Sequence, residues 1–151
     1  MKNRIETLEI TVSAMAEEVM EIQKRAYEQE ALLIGTREIP PLHETVEDLK
    51  QCGERFLGCY VDGVLAGVLS YKMNSNMLDI HRLFVDPGYH RQGIAQKLLD
   101  SIERNGSDFE KMIVSTAMGN EPAIRFYEKN NFKQVGKKKI HSELVLVEFE
   151  K

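Results

Sequence analysis

Apolar residues between Arg4 and Val12 alternate with polar ones around Ile5, Leu8, Ile10 and Val12, the two-residue period of a half-buried strand. The period then changes. Met15, Val19, Ile22 and Ala26 recur at spacings of four, three and four, which puts them on one face of an amphipathic helix. Ser13 stands where it can cap that helix, and Glu17 and Glu18 suit its positive end. From Leu32 to Leu42 the pattern lapses, and Gly35 with the Pro40-Pro41 pair predicts a loop. Thr45 and Asp48 have capping-box spacing for a shorter helix that Gly53 can end.

Phe56–Val61, Val64–Met73 and Met77–Val85 predict three strands. Asp62-Gly63 is a hairpin signal between the first two, and Asn74, Ser75 and Asn76 make the next turn. Asp86-Pro87-Gly88 ends the third strand. Gln92–Arg104 reads as a helix through Ile94, Leu98, Leu99 and Ile102, stopped at Asn105-Gly106. Lys111–Thr116 is a strand rich in β-branched residues, and Asn120–Asn130 a helix that tolerates Pro122 in its first turn. Phe132–Lys138 and Glu143–Phe149 are closing strands. The order β-α-α-β-β-β-α-β-α-β-β implies an α/β (α+β) fold, a mixed central sheet with helices on both faces.

Composition narrows the picture. The 151 residues, 42% hydrophobic and 29% charged, suit one soluble domain spanning 1–151. No apolar run approaches the roughly 20 residues of a membrane span, and the N-terminus lacks the features of a secretory signal. The expectation is a cytoplasmic protein without a membrane partner. Lys and Arg are scattered and the net charge is -4, so no basic stripe points to nucleic acid; an acidic surface mildly favours a cationic substrate. Six residues lie between Cys52 and Cys59, and His43, His81, His90 and His141 are dispersed, so free thiols and no metal site are expected.

The most informative stretch, Val85-Asp86-Pro87-Gly88-Tyr89-His90-Arg91-Gln92-Gly93-Ile94-Ala95, joins a strand to a helix. A helix N-terminus offers free N–H groups and partial positive charge, and so can hold a pyrophosphate. Gly93 and Ala95 let it approach closely, and Arg91 can add a charge-assisted contact. A tight strand-to-helix turn needs glycine for packing too, so spacing alone does not choose between packing and phosphate binding. The segment is neither a GxxxxGK[ST] loop nor a GxGxxG fingerprint.

His90 to Ala95 resembles the acyl-CoA signature of the GNAT superfamily of N-acetyltransferases: Gln or Arg, two variable residues, Gly, one variable residue, then Gly or Ala. Gly93 and Ala95 fit, and His90 departs from the first position. Leu83-Phe84-Val85-Asp86-Pro87 resembles the end of that family's central strand. Asn120 to Phe132 is similar to its late helix, with Asn131 where Gly is usual, a position that favours a left-handed turn.

The resemblance implies acetyl-CoA as cosubstrate, an amine acceptor, no metal, and room for a homodimer. It implies cofactor contacts at Leu83, Phe84, Val85, at His90, Arg91, Gln92, Gly93, Ile94, Ala95, and at Asn120 and Tyr127. Leu83 and Val85 act there through backbone groups that pair with the pantetheine arm, and a backbone N–H near Leu83 polarises the thioester. Tyr127 protonates the departing thiolate. Lys97, Arg125 and Lys129 are solvated helix charges or contacts to the CoA phosphates.

For the general base, some branches of the superfamily carry a Glu where Asp79 stands; His81 competes, as imidazole is the side-chain type that exchanges protons near neutral pH. Strand alternation puts Asp79, His81, Leu83 and Val85 on one face and Leu78, Ile80, Arg82 and Phe84 on the other, unless a bulge intervenes. The expected reaction is direct attack by the amine in a ternary complex, with the acceptor pocket built from Leu32–Leu42, the Asn74 turn and the last hairpin. The rival is a non-catalytic acyl-CoA-binding sensor or scaffold. A protein-directed acetyltransferase differs only in acceptor.

Overall fold

Hairpins joined by tight left-handed turns build the first half of the sheet. Asp62 and Gly63, with φ of 49° and 83°, close one hairpin, and Ser75, at φ 61°, closes the next. The computed structural model describes residues 2–105 and 108–151, with only the backbone at Asn105. The strands are β1 (Asn3–Leu8), β2 (Arg55–Val61), β3 (Val64–Asn74), β4 (Met77–Val85), β5 (Lys111–Ala117), β6 (Lys133–His141) and β7 (Leu144–Glu150). The helices are α1 (Ser13–Ile34), α2 (Pro40–His43), α3 (Val46–Gln51), α4 (Ile94–Asn105) and α5 (Glu121–Lys129), with a 3-10 turn at Pro87–Tyr89.

Together the strands form a seven-stranded mixed sheet in the order β1-β2-β3-β4-β5-β7-β6. Among the described residues only the β4–β5 pair is parallel, since a helical crossover joins those two strands. One face carries α1 and α3, packed through Val19, Ile22 and Leu49 onto Phe56, Val68 and Phe84. The other carries α4 and α5, packed through Leu98, Leu99 and Tyr127 onto Leu69, Leu78 and Ile80. Leu98 and Leu99 are fully buried, each contributing about 1.5–3 kcal/mol of apolar burial.

The predicted order holds, with α2 and the 3-10 turn added. Several local expectations need correction. The strand predicted over Arg4–Val12 ends at Leu8, although Ile10 is still buried. Ser13 does not cap α1: Val12 is the cap residue, and Ser13 Oγ accepts from Lys50 Nζ at 2.8 Å. Glu17 and Glu18 fall beyond the first turn. α1 continues to Ile34, so only the rest of Leu32–Leu42 is loop, and within that Pro40–His43 forms a helical turn started by Pro at its N1 position. The capping box at Thr45 and Asp48 is present in both directions, and Asn131 is left-handed at φ 71°. Of the predicted stop at Asn105-Gly106, Gly106 lies outside the described residues.

Candidate active site

The centre of the sheet is shaped by one extra residue. Ser70 faces Arg82 and Tyr71 faces Ile80, so His81 is a β-bulge in β4. The bulge changes the strand's phase. Leu78 and Ile80 share the α4 face with Leu83 and Val85, whereas Phe84 and Arg82 point to the α1 face. The strict alternation read from the sequence therefore fails at His81. β4 and β5 pair only from Met77↔Lys111 to Ile80↔Val114 and part beyond it. Asp86 N donates to Ala66 O at 2.7 Å. By antiparallel alternation Phe84 also bonds β3, and the backbone groups of Leu83 and Val85 turn towards the gap.

The start of α4 sits at one end of this gap. Gly67 of β3 admits it: a Cβ there would lie 2.6 Å from Ile94 Cγ2. The first bond within α4 runs from Lys97 N to Gly93 O, leaving the N–H groups of Ile94, Ala95 and Gln96 without a helical partner. Arg91 and Gly93 are left-handed, at φ 65° and 72°, and a Cβ on Gly93 would meet no atom within 4 Å. A groove here is lined by Leu83, Phe84, Val85, His90, Arg91, Gly93, Ile94, Ala95 and Lys129. A second groove continues past Asn120 to Glu30 and Leu33 of α1. Gln92 Oε1 is buried with no hydrogen-bond partner among the described residues. Ile94 turns its own side chain, 2% exposed, into the core, so its contribution to the groove is backbone. Lys97 reaches instead to the Asn3 side-chain oxygen, 2.6 Å away with that amide oriented to accept, and Arg125 is exposed. An anionic pyrophosphate fits this end of the gap: open N–H groups, a glycine without a neighbour and an exposed Arg91.

Where the strands part, a cavity of about 230 Å³ opens. Tyr127, His81, Leu83 and Asn120 line it, as do Tyr27 and Glu30 of α1. Ile39, Pro40 and Pro41 close one side and Ile140, Leu144 and Leu146 another. Two of the three predicted acceptor segments thus meet, while the Asn74 turn does not line the cavity. Tyr127 is 5% exposed and stands edge-on to Phe126 and Phe132, with centroids 5.3 and 5.4 Å away. Burial, then the nearby Glu30 carboxylate, push its phenol well above the ordinary value, so it is protonated at neutral pH. Asn120 caps α5 by accepting from Ala123 N at 3.2 Å, and its Nδ2 donates to Glu30 Oε1 at 2.6 Å. Burial raises the Glu30 carboxyl above its ordinary range, against the lowering effect of that bond.

His81 and Asp79 meet each other. His81 Nε2 lies 3.4 Å from Asp79 Oδ2, and its Nδ1 lies 3.6 Å from Glu54 Oε2. Of the pair, His81 lines the cavity and Asp79 stands behind it. Below lies a buried ionic network that the sequence reading missed. Arg82 Nε donates to Glu54 Oε1 at 2.9 Å and Nη2 to Glu44 Oε2 at 3.0 Å, and Gln23 Oε1 accepts from Nη1 at 3.1 Å. Gln23 Nε2 in turn holds Pro41 O at 3.0 Å, which ties α2 to the sheet. Burial alone would raise the Glu54 carboxyl; bonds from Arg82 and Ser70 outweigh it and hold it below its usual value. An arginine in the otherwise apolar inward series of β4 was the available signal for this network. Glu30 and Tyr27 carried a weaker one, since α1 was read only to Ala26.

Comparison with known proteins agrees with this fold. The model of the family described as "Acetyltransferase (GNAT) family" matches residues 16–132. The chain is 37% identical over 145 residues to the UPF0157 protein YqkA of Bacillus subtilis, covering 96% of this chain and 42% of that one. It is 31% identical over 110 residues to an N-alpha-acetyltransferase of Saccharolobus solfataricus, covering 63% and 66%. The chain therefore spans less than two thirds of the length of either relative. Among solved structures, the ribosomal-protein-S18-alanine N-acetyltransferase from Escherichia coli is similar in fold, with a TM-score of 0.78, 16% identity, and 99% and 92% of the two chains covered. The PaiA N-acetyltransferase from Thermoplasma acidophilum, solved in complex with coenzyme A, has a TM-score of 0.77, 20% identity and 98% of each chain covered.

Proposed function

We propose, from the premise that this chain belongs to the acetyltransferase (GNAT) family, that it transfers an acetyl group from acetyl-CoA to an amine by direct attack in a ternary complex. The observation that carries this reading is the parting of β4 and β5, which leads unpaired backbone from the start of α4 to the phenol of Tyr127. Acetyl-CoA supplies a thioester, whose carbonyl is open to an amine and whose thiol departs best when protonated.

In this reading the N–H groups of Ile94, Ala95 and Gln96 receive the pyrophosphate, with Arg91 beside them. His90, Gln92 and Gly93 shape the loop. Leu83 and Val85 offer backbone donors and acceptors to the pantetheine amides, and Phe84 holds the strand against α1. Asn120 lies along the same arm. Tyr127 donates a proton to the leaving sulfur. His81 takes the amine's proton, directly or through water, and the imidazolium so formed lies between the Asp79 and Glu54 carboxylates. Holding both reactants in one cavity supplies much of the acceleration. One domain, acting in the cytoplasm with Cys52 and Cys59 as free thiols, completes the proposal.

A panel of amines and peptides with acetyl-CoA, read by product mass, tests this. Acetylated product supports transfer. Tight acetyl-CoA binding with no product from any acceptor would instead make the chain an acyl-CoA sensor or scaffold. Release of CoA alone does not discriminate, because slow hydrolysis also gives it.

A further inference from the structure

The central cavity contains a carboxylate that no cation among the described residues answers. Glu30 lines it from α1, and its side chain's hydrogen bond is to the neutral amide of Asn120, through Oε1. Arg82, the buried cation of the same cavity, is taken up by Glu44, Glu54 and Gln23. His81 sits between Asp79 and Glu54. A carboxylate drawn partly out of water without a counter-charge is costly, and a bound cation offsets that cost. A second polar group points the same way. Tyr127, 5% exposed, lines the cavity, and its hydroxyl bonds to none of the described residues.

The remaining walls on the α1 side and at the hairpin are apolar: Ile39, Pro40, Pro41, Ile140, Leu144 and Leu146. A carboxylate-bearing acceptor would find no free cation among the described lining residues. It would also meet the field of Glu30, Glu44, Glu54 and Asp79. An ammonium group with an apolar body meets the opposite: one unanswered charge and a greasy wall.

We propose that Glu30 anchors the acceptor's ammonium group, and that the acceptor is a cationic alkylamine with an apolar body and no carboxylate beside its nitrogen. This rests on the acetyl-transfer reading above. Asn120 fixes the Glu30 rotamer and leaves Oε2 to the ligand. The apolar body lies between the Ile39–Pro41 segment and the Ile140–Leu146 hairpin. The anchor acts mainly on binding the acceptor, so its loss raises KM for the amine more than it lowers kcat.

The test compares the wild type with Glu30→Gln and Glu30→Asp, using an arylalkylamine, the matching α-amino acid, and an aniline, which is uncharged at neutral pH. The proposal predicts that the wild type prefers the alkylamine to the amino acid by more than tenfold in kcat/KM. Glu30→Gln raises KM for the alkylamine at least tenfold. It leaves KM for acetyl-CoA and for the aniline within about twofold, and Glu30→Asp recovers part of the loss. An equal rise in KM for acetyl-CoA would assign Glu30 to the pantetheine channel and overturn the proposal, as would preference for the amino acid. If no amine is acetylated, the transfer reading fails on its own. Calorimetric binding of the same three compounds to the CoA-saturated protein then decides the anchor: Glu30-dependent binding of the alkylamine supports it, and equal affinity in both proteins overturns it.

Discussion

Tyr127 and Glu30 face one cavity, and the proposed reaction gives them separate chemical ends. Tyr127→Phe keeps the ring among Phe126, Phe132 and Phe149 and removes only the proton. Turnover should fall about 10²- to 10⁴-fold with CoA affinity nearly kept, read by steady-state kinetics and calorimetry. Glu30 bears on stability as well. Its folded-state pKa is raised by burial, so the stability it contributes is complete below its ordinary value of 4.5 and is lost as pH rises through the raised one. Glu30→Gln keeps the acceptor oxygen for Asn120 and removes this loss. Its unfolding midpoint should match the wild type at acid pH below 4.5 and exceed it by a few degrees at pH 7, measured by calorimetry across pH. Such a gain, beside weaker amine binding, is the trade expected of a binding carboxylate. At this scale the sequence was readable where a residue acts through local geometry. Asn131 as a left-handed residue and Gly93 as an open position both follow from near neighbours. Glu30 was not readable, because a glutamate near the end of an amphipathic helix looks like a solvated charge until the partner elements are in place.

Among the elements, β4 decides the most. The Met77–Val85 strand was legible to its ends because a two-residue period and two turn signals bound it. Its bulge was not, since a bulge is a property of pairing with β3 and leaves no mark on one strand alone. That single residue turns Arg82 to the α1 face, where it meets Glu44 and Glu54, and lets β4 leave β5. The Arg82 network therefore belongs to the architecture of the gap. Arg82→Met leaves two half-buried carboxylates facing each other and should cost about 3–5 kcal/mol in chemical denaturation. Adding Glu54→Gln to it removes one of those charges and should recover part of the loss. A double variant as unstable as the sum of both singles would mean that the network is not coupled.

Over the whole molecule, the sheet brings together segments far apart in sequence: α1 near residue 30, β4 near 80, the loop near 90, α5 near 120 and the last hairpin. The order of elements and the mixed sheet could be read from periodicity and turn chemistry, which are local. The cavity could not, because its walls meet only after β4 and β5 have parted. The account stands on acetyl passing through that gap from acetyl-CoA bound at the start of α4. The most direct measurement is the mass of an amine product made from acetyl-CoA labelled in its acetyl group, by the wild type, Gly93→Ala and Gly93→Glu. Gly93 is left-handed, so both variants carry backbone strain, and only the second puts a carboxylate at the pyrophosphate. The account predicts labelled product from the wild type and Gly93→Ala. For Gly93→Glu it predicts a KM for acetyl-CoA more than tenfold higher than for Gly93→Ala, a difference above ~1.4 kcal/mol. Labelled product with the same KM in both variants would place acetyl-CoA elsewhere and contradict it.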